Sequence, residues 1–145
     1  MATLYVILLT LHNITRWLVL IAGVWALIRT VPALGGNRNF TAADRRPVVI
    51  FAGSVHLQVV LGLLLFGFLG SQGARAFAER GAGFQWQHIV VGLIAAVTAA
   101  LATGRSKRAP TDQAKFRVAA LWTGVTLLIL LMSIPWWRPL LRLFS

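Results

Sequence analysis

The chain has 145 residues, 58% of them hydrophobic and only 12% charged, with a mean hydropathy of +0.77, which takes it outside the range of soluble domains. Fourteen Lys and Arg stand against three Asp and Glu, a net charge of +11, but nearly all of that charge lies in short runs between apolar segments; that is how topology determinants are distributed, and it argues against nucleic acid as a partner. Cysteine is absent, which excludes disulfides, thiolate metal sites, iron–sulfur clusters and covalently attached c-type haem, so a cofactor has to be held by His, Met, carboxylate or backbone groups.

Four apolar stretches reach the length of about 20 helical residues that a hydrocarbon core requires. The first, residues 4–28, lacks a basic leading segment, is interrupted by "HNITR" and is followed by no A-x-A site, so it is expected to be a retained span and not a signal peptide. The others are 47–70, 84–103 and 116–136. Each is expected to be a helix, because a chain in lipid must satisfy its own backbone. The expected fold is therefore all-α: one integral membrane four-helix bundle over residues 1–145.

The connections set the orientation. Arg29, Arg38, Arg45 and Arg46 follow the first span; Arg105, Lys107, Arg108, Lys115 and Arg117 follow the third; between spans two and three only Arg75 and Arg80 occur, beside Glu79. The positive-inside rule places the first and third connections in the cytoplasm and both termini on the outer side. Thr41 and Thr111 follow turn-forming residues and open helical runs, so each is expected to be an N-cap. The tail, "PWWRPLLRLF", carries an interfacial Trp pair and a Leu/Arg pattern that suits a short surface helix.

The candidate site lies inside the spans. His12, His56 and His88 fall one in each of the first three helices, and ionisable groups within a membrane mark functional sites. His12 precedes Arg29 by 17 residues and His88 precedes Arg105 by 17, so both stand about 25 Å above the cytoplasmic charges at 1.5 Å per residue. His56 follows Arg46 by ten residues, about 15 Å up. Histidines that far out of level do not suit a tetrahedral three-His site. Two imidazoles at one height on different helices are what a b-type haem requires, one nitrogen on each side of the macrocycle, which makes His12 and His88 the candidate iron ligands. Gly23, eleven residues after His12, and Gly92, four after His88, return to the faces of those histidines and are expected to leave room for a flat ring.

Arg16, four residues after His12, shares its face near mid-bilayer, while Asp44, Glu79 and Asp112 all lie in connections. With no acid inside the spans to pair with it, Arg16 is expected to receive a haem propionate or to polarise a quinone carbonyl; capping helix carbonyls is the structural alternative. His56, near Gln58 and Gly62, is a further cofactor-binding candidate: a replacement axial ligand, part of a quinone pocket, or a bond to a neighbouring helix. Gln85 and Gln87 are placed to orient the His88 imidazole.

The pieces "LHNITRWLVL", "HLQVVLGLLLF", "QHIVVGL", "GRSKRA" and "SIPW", in that order, resemble a group of small four-helix bacterial integral membrane proteins labelled cytochrome b-like. The resemblance spans nearly the whole chain. It implies that His12, Arg16, His56 and His88 are the characteristic polar positions and that the chain resides in the bacterial inner membrane. Gln87 stands where the group's pattern suggests Glu, which removes a proton-transfer group there.

The leading functional expectation is a membrane b-type cytochrome or haem-binding subunit that carries electrons between the quinone pool and an outer-surface partner. Its cofactor is haem b, with a quinone as a second ligand, and its partners are membrane lipid and either further subunits or copies of itself. The competing expectation is a cofactor-free accessory subunit of a larger respiratory or photosynthetic complex. A transporter is disfavoured by the lack of paired, interrupted helices. No catalytic residue is assigned, because no Ser/His/Asp or paired-carboxylate set can be built from three acids in connections.

Overall fold

A backbone that cannot bond water closes its hydrogen bonds within helices, and the apolar runs of this chain do so over more than their apolar length. The structure is a computed structural model and describes residues 2–137. Its long elements are α1 (Ala2–Thr30), α2 (Ala42–Ser71), α3 (Gly81–Arg108) and α4 (Asp112–Ser133), with short 3-10 turns at Val31–Ala33 and Ala78–Arg80 and no strand among the described residues. All four helices are long and apolar enough to cross a membrane, the architecture of a multi-pass membrane protein.

Local chemistry sets the helix ends. At the start of α2, Asp44 Oδ2 accepts from both the N–H and the hydroxyl of Thr41, at 3.0 and 2.8 Å, a capping box that satisfies otherwise orphaned donors. Thr111 Oγ1 accepts from the N–H of Ala114 at 3.1 Å at the start of α4. The apolar run suggests that α4 reaches residue 136, but the helix stops at Ser133. Pro135 is the reason: it drives Ile134 to an extended ψ of 127° and has no N–H to donate. α3 is longer than its apolar run at both ends, and Arg105, Lys107 and Arg108 fill its last turn, where cations suit the helix dipole.

α1 packs on α2 and α4, and α3 packs on the same two helices. Around the bundle the order is α1, α2, α3, α4, so α1 and α3 face each other across the diagonal. Packing is close at the end that carries the basic connections. Ala26, Ala95, Ala99, Ala102 and Ala119 are fully buried there, around Val48, Phe51 and Phe116, and side chains this small let helix backbones approach. Thr126 donates to Thr98 Oγ1 at 2.8 Å, tying α4 to α3. The outward face is as apolar as the inward one: Ile21 is 67% exposed, Leu128 63% and Met132 86%.

The first connection is stapled to this end. Asp44, expected in a loop, lies in the first turn of α2 with 1% exposure. Its Oδ1 accepts from Arg29 at 2.8 Å and from Arg38 at 2.9 Å. Arg38 also donates to the Arg29 carbonyl at 2.9 Å and lies over the Phe116 ring at 4.9 Å. Gln113 donates to the Leu34 carbonyl, tying the same connection to α4.

Candidate functional site

At the opposite end the bundle does not close. Between the first half of α1, the second half of α2, the start of α3 and the end of α4 lies a cavity of about 440 Å³, within the size range of small-molecule and cofactor sites. Its walls are largely aliphatic and aromatic, with His12, Arg16, Gln58 and His88 among the few polar side chains that reach it.

His88 enters from α3. Its Nδ1 sits 3.1 Å from the carbonyl of Ser133 at the end of α4, and a carbonyl can only accept, so Nδ1 carries the proton and Nε2 of the neutral ring carries the lone pair. A bond of this kind, from one imidazole nitrogen to a backbone carbonyl, fixes ring orientation where histidine binds a metal. The ring of Phe77, from the connection before α3, meets His88 edge to face at 5.2 Å.

His12 enters from α1, across the diagonal. Its Nε2 is 3.1 Å from Gln58 Nε2 on α2, and a Cβ built on Gly62 would stand 3.1 Å from His12 Cε1. Gln58 and Gly62, one turn apart, thus form the seat of the ring: one anchors it and the other leaves it space. Two buried atoms of this pair, His12 Nδ1 and Gln58 Oε1, have no hydrogen-bond partner among the described residues. An amide nitrogen only donates, so in this arrangement His12 Nε2 accepts and Nδ1 carries the proton; turning the Gln58 amide lets its Oε1 accept from Nε2–H and leaves the lone pair on Nδ1. Arg16, one turn from His12, lines the same cavity, with its guanidinium 5.8 Å from the Trp17 ring centroid.

Of the six residues singled out in the sequence, His12, Arg16, His88 and Gly92 line the cavity. Gly23 and His56 do not. Gly23 lies eleven residues from His12, three turns or about 16 Å along α1, which returns it to the same face but takes it below the cavity floor. A Cβ there would fall 2.6 Å from Leu127 Cδ2 and 2.8 Å from Phe51 Cε2, so this glycine serves helix contact and leaves no space for a ring. His56 is exposed on the outer face of α2, its Nδ1–H donated to the Ala52 carbonyl at 2.6 Å. Gln85, expected to orient His88, instead accepts from the N–H of Ala76 at 3.1 Å. That role falls to the Ser133 carbonyl, a backbone group with no sequence signal. The short surface helix expected in the tail lies partly outside the described residues, which end at Trp137.

Among the described residues, no group of three or more His, Asp or Glu side chains is placed to hold a metal ion. A metal carried by a macrocycle needs no more than two protein ligands. No family model, curated protein or solved structure matches the chain.

Proposed function

We propose that the chain spans the bacterial inner membrane four times with both termini outside, and that its cavity binds a b-type haem between His12 and His88. The observation that carries this reading is the pair itself: two imidazoles on diagonal helices lining one cavity, the second held by a carbonyl in the tautomer that leaves Nε2 basic, and the first able to offer a nitrogen lone pair once the Gln58 amide is turned so that its Oε1 accepts from Nε2–H of His12. Placement of a cofactor between facing helices is the usual way a four-helix bundle builds such a site. Arg16 supplies a guanidinium on the same wall, suited to a propionate. Asp44 and Asp112 are engaged at the far end of the bundle.

When bound, haem supplies one-electron chemistry, and the chain's residues supply ligation, orientation and exclusion of water. Gln58 and Gly62 hold the His12 ring, Ser133 holds the His88 ring, and Phe77 with the aliphatic walls keeps the cavity dry. A site at this end of the bundle, away from the basic connections, suits exchange of electrons between the quinone pool and a partner at the outer surface.

The competing reading is a cofactor-free subunit of a larger membrane complex. It is favoured by one observation: each of the two histidines already bonds a neighbouring helix, as structural membrane histidines do. Haem content of purified variants separates the two. The haem reading predicts about one haem per chain, lost in His12→Ala and His88→Ala and kept in His56→Ala; equal content in all three variants would refute this ligand pair.

A further inference from the structure

A second recess, about 310 Å³ in volume, lies at the basic end of the bundle, walled by Ile28, Arg29, Pro32, Ala33, Gly36 and Arg38. We propose that it binds the phosphate of an anionic phospholipid, with the lipid's acyl chain lying along α1. The inference rests on the membrane-spanning reading and is independent of the haem.

Charge comes first. Two guanidiniums converge on a single carboxylate oxygen, Asp44 Oδ1, at 2.8 and 2.9 Å, while Oδ2 is taken by Thr41. One carboxylate neutralises one of two cations and has no further oxygen to offer, which leaves one positive charge on the recess. Arg29 Nε is buried and has no hydrogen-bond partner among the described residues. Yet the two side chains remain 37% and 47% exposed, so an anion reaches them from outside without displacing Asp44. A phosphate oxygen is a strong acceptor for such guanidinium donors. Arg45, Arg46, Arg105, Lys107, Arg108, Lys115 and Arg117 flank this end, with only Asp112 against them, so the surrounding field favours an anionic over a zwitterionic headgroup.

Shape comes second. Gly36 has nothing within 4 Å of where its Cβ would stand, and the recess stays open beside it. From its apolar wall at Ile28, the exposed side chains Ile28, Trp25, Val24 and Ile21 form one stripe along α1, with Ile28 63% and Ile21 67% exposed. Spacings of three, four and seven residues keep them on one helix face. A charged pocket at the head of an apolar stripe matches a phospholipid; a free phosphate would use only the pocket.

The test uses the full chain purified in detergent and native mass spectrometry, titrated with phosphatidylglycerol, with phosphatidylcholine of the same acyl chains, and with inorganic phosphate. The expected result is a saturable one-to-one phosphatidylglycerol adduct and at least fivefold weaker phosphatidylcholine binding. Arg38→Gln should weaken the adduct about fivefold, the effect of one cation near an anionic headgroup. Gly36→Phe, which fills the recess and leaves every charge in place, should weaken it as well and covers the case in which Arg38→Gln does not fold. Equal affinity for the two lipids, or an adduct indifferent to both substitutions, would overturn the proposal. So would inorganic phosphate that displaces the lipid at equal concentration, which would make this a site for free anions. Alkaline carbonate extraction of the host membranes reads insertion separately: a released chain removes the membrane reading and the lipid site with it, whereas a retained chain without phosphatidylglycerol preference removes the lipid site alone.

Discussion

Substituting Gly23 by Ala adds one methyl group to the contact between α1, α2 and α4. The new Cβ would stand 2.6 Å from Leu127 Cδ2, 2.8 Å from Phe51 Cε2 and 2.9 Å from Leu127 Cγ, all well inside van der Waals contact near 3.5–4.0 Å. Phe51 is fully buried and Leu127 is 7% exposed, so neither swings out; α1 has to move away. Overpacking of this kind costs about 1–3 kcal/mol, and replacing a helical glycine returns up to about 1 kcal/mol. With the full return subtracted, the net expectation is a loss of up to about 2 kcal/mol, read as a thermal midpoint up to about 8 °C lower by circular dichroism in detergent. Gly53→Ala is the matched control: nothing stands within 4 Å of its added Cβ, so its midpoint should hold or rise. Haem content should not change in either variant. A Gly23→Ala midpoint equal to that of Gly53→Ala would refute the close approach of α1, and a normal midpoint with lost haem would return Gly23 to the cofactor site.

Three further outcomes follow from the same geometry. Asp44→Asn keeps the shape of the cap but removes the charge that holds Arg29 and Arg38; with both arginines partly exposed, the loss should be about 1–2 kcal/mol in thermal unfolding, and no loss would mean that the ion pairs only decorate the surface. Thr126→Val removes the donor to Thr98 and should cost about 0.6–1 kcal/mol in the same assay; a variant as stable as wild type would show that this hydroxyl pair adds nothing to the α3–α4 contact. Because the chain has no cysteine, Asn37→Cys and Ala74→Cys report orientation directly: an impermeant maleimide applied to intact cells should label position 74 and spare position 37, and the reverse pattern would invert the topology.

The helices were legible because apolar runs of 20 or more residues in this composition have few alternatives, and the Thr41 and Thr111 caps were legible from their positions beside turn residues. Helix rotation was not. When a helix is apolar all round, nothing in its pattern separates the inward face from the outward one. His56 and Gln58 show the consequence: two positions apart, they point to nearly opposite sides of α2, and it is Gln58 that meets His12 while His56 is exposed. The partners of the site were hidden for a second reason. Ser133 acts through its carbonyl, and Gly62 acts by lacking a side chain, so neither offers a chemical group to a reader of the sequence. Asp44 was hidden because its burial depends on Arg29, 15 residues away, and on a connection that folds back over the helix ends. By contrast, Arg16 and Gly92 each lie one turn from a histidine, a distance over which helical spacing keeps residues together at one level.

The most direct test of the account is a reduced-minus-oxidised visible spectrum of the detergent-purified chain, expressed with haem in supply, with a pyridine haemochrome assay for stoichiometry. The account predicts a sharp reduced α-band of b type and about one haem per chain. A colourless protein that remains folded would contradict it and leave the cofactor-free subunit as the reading that stands.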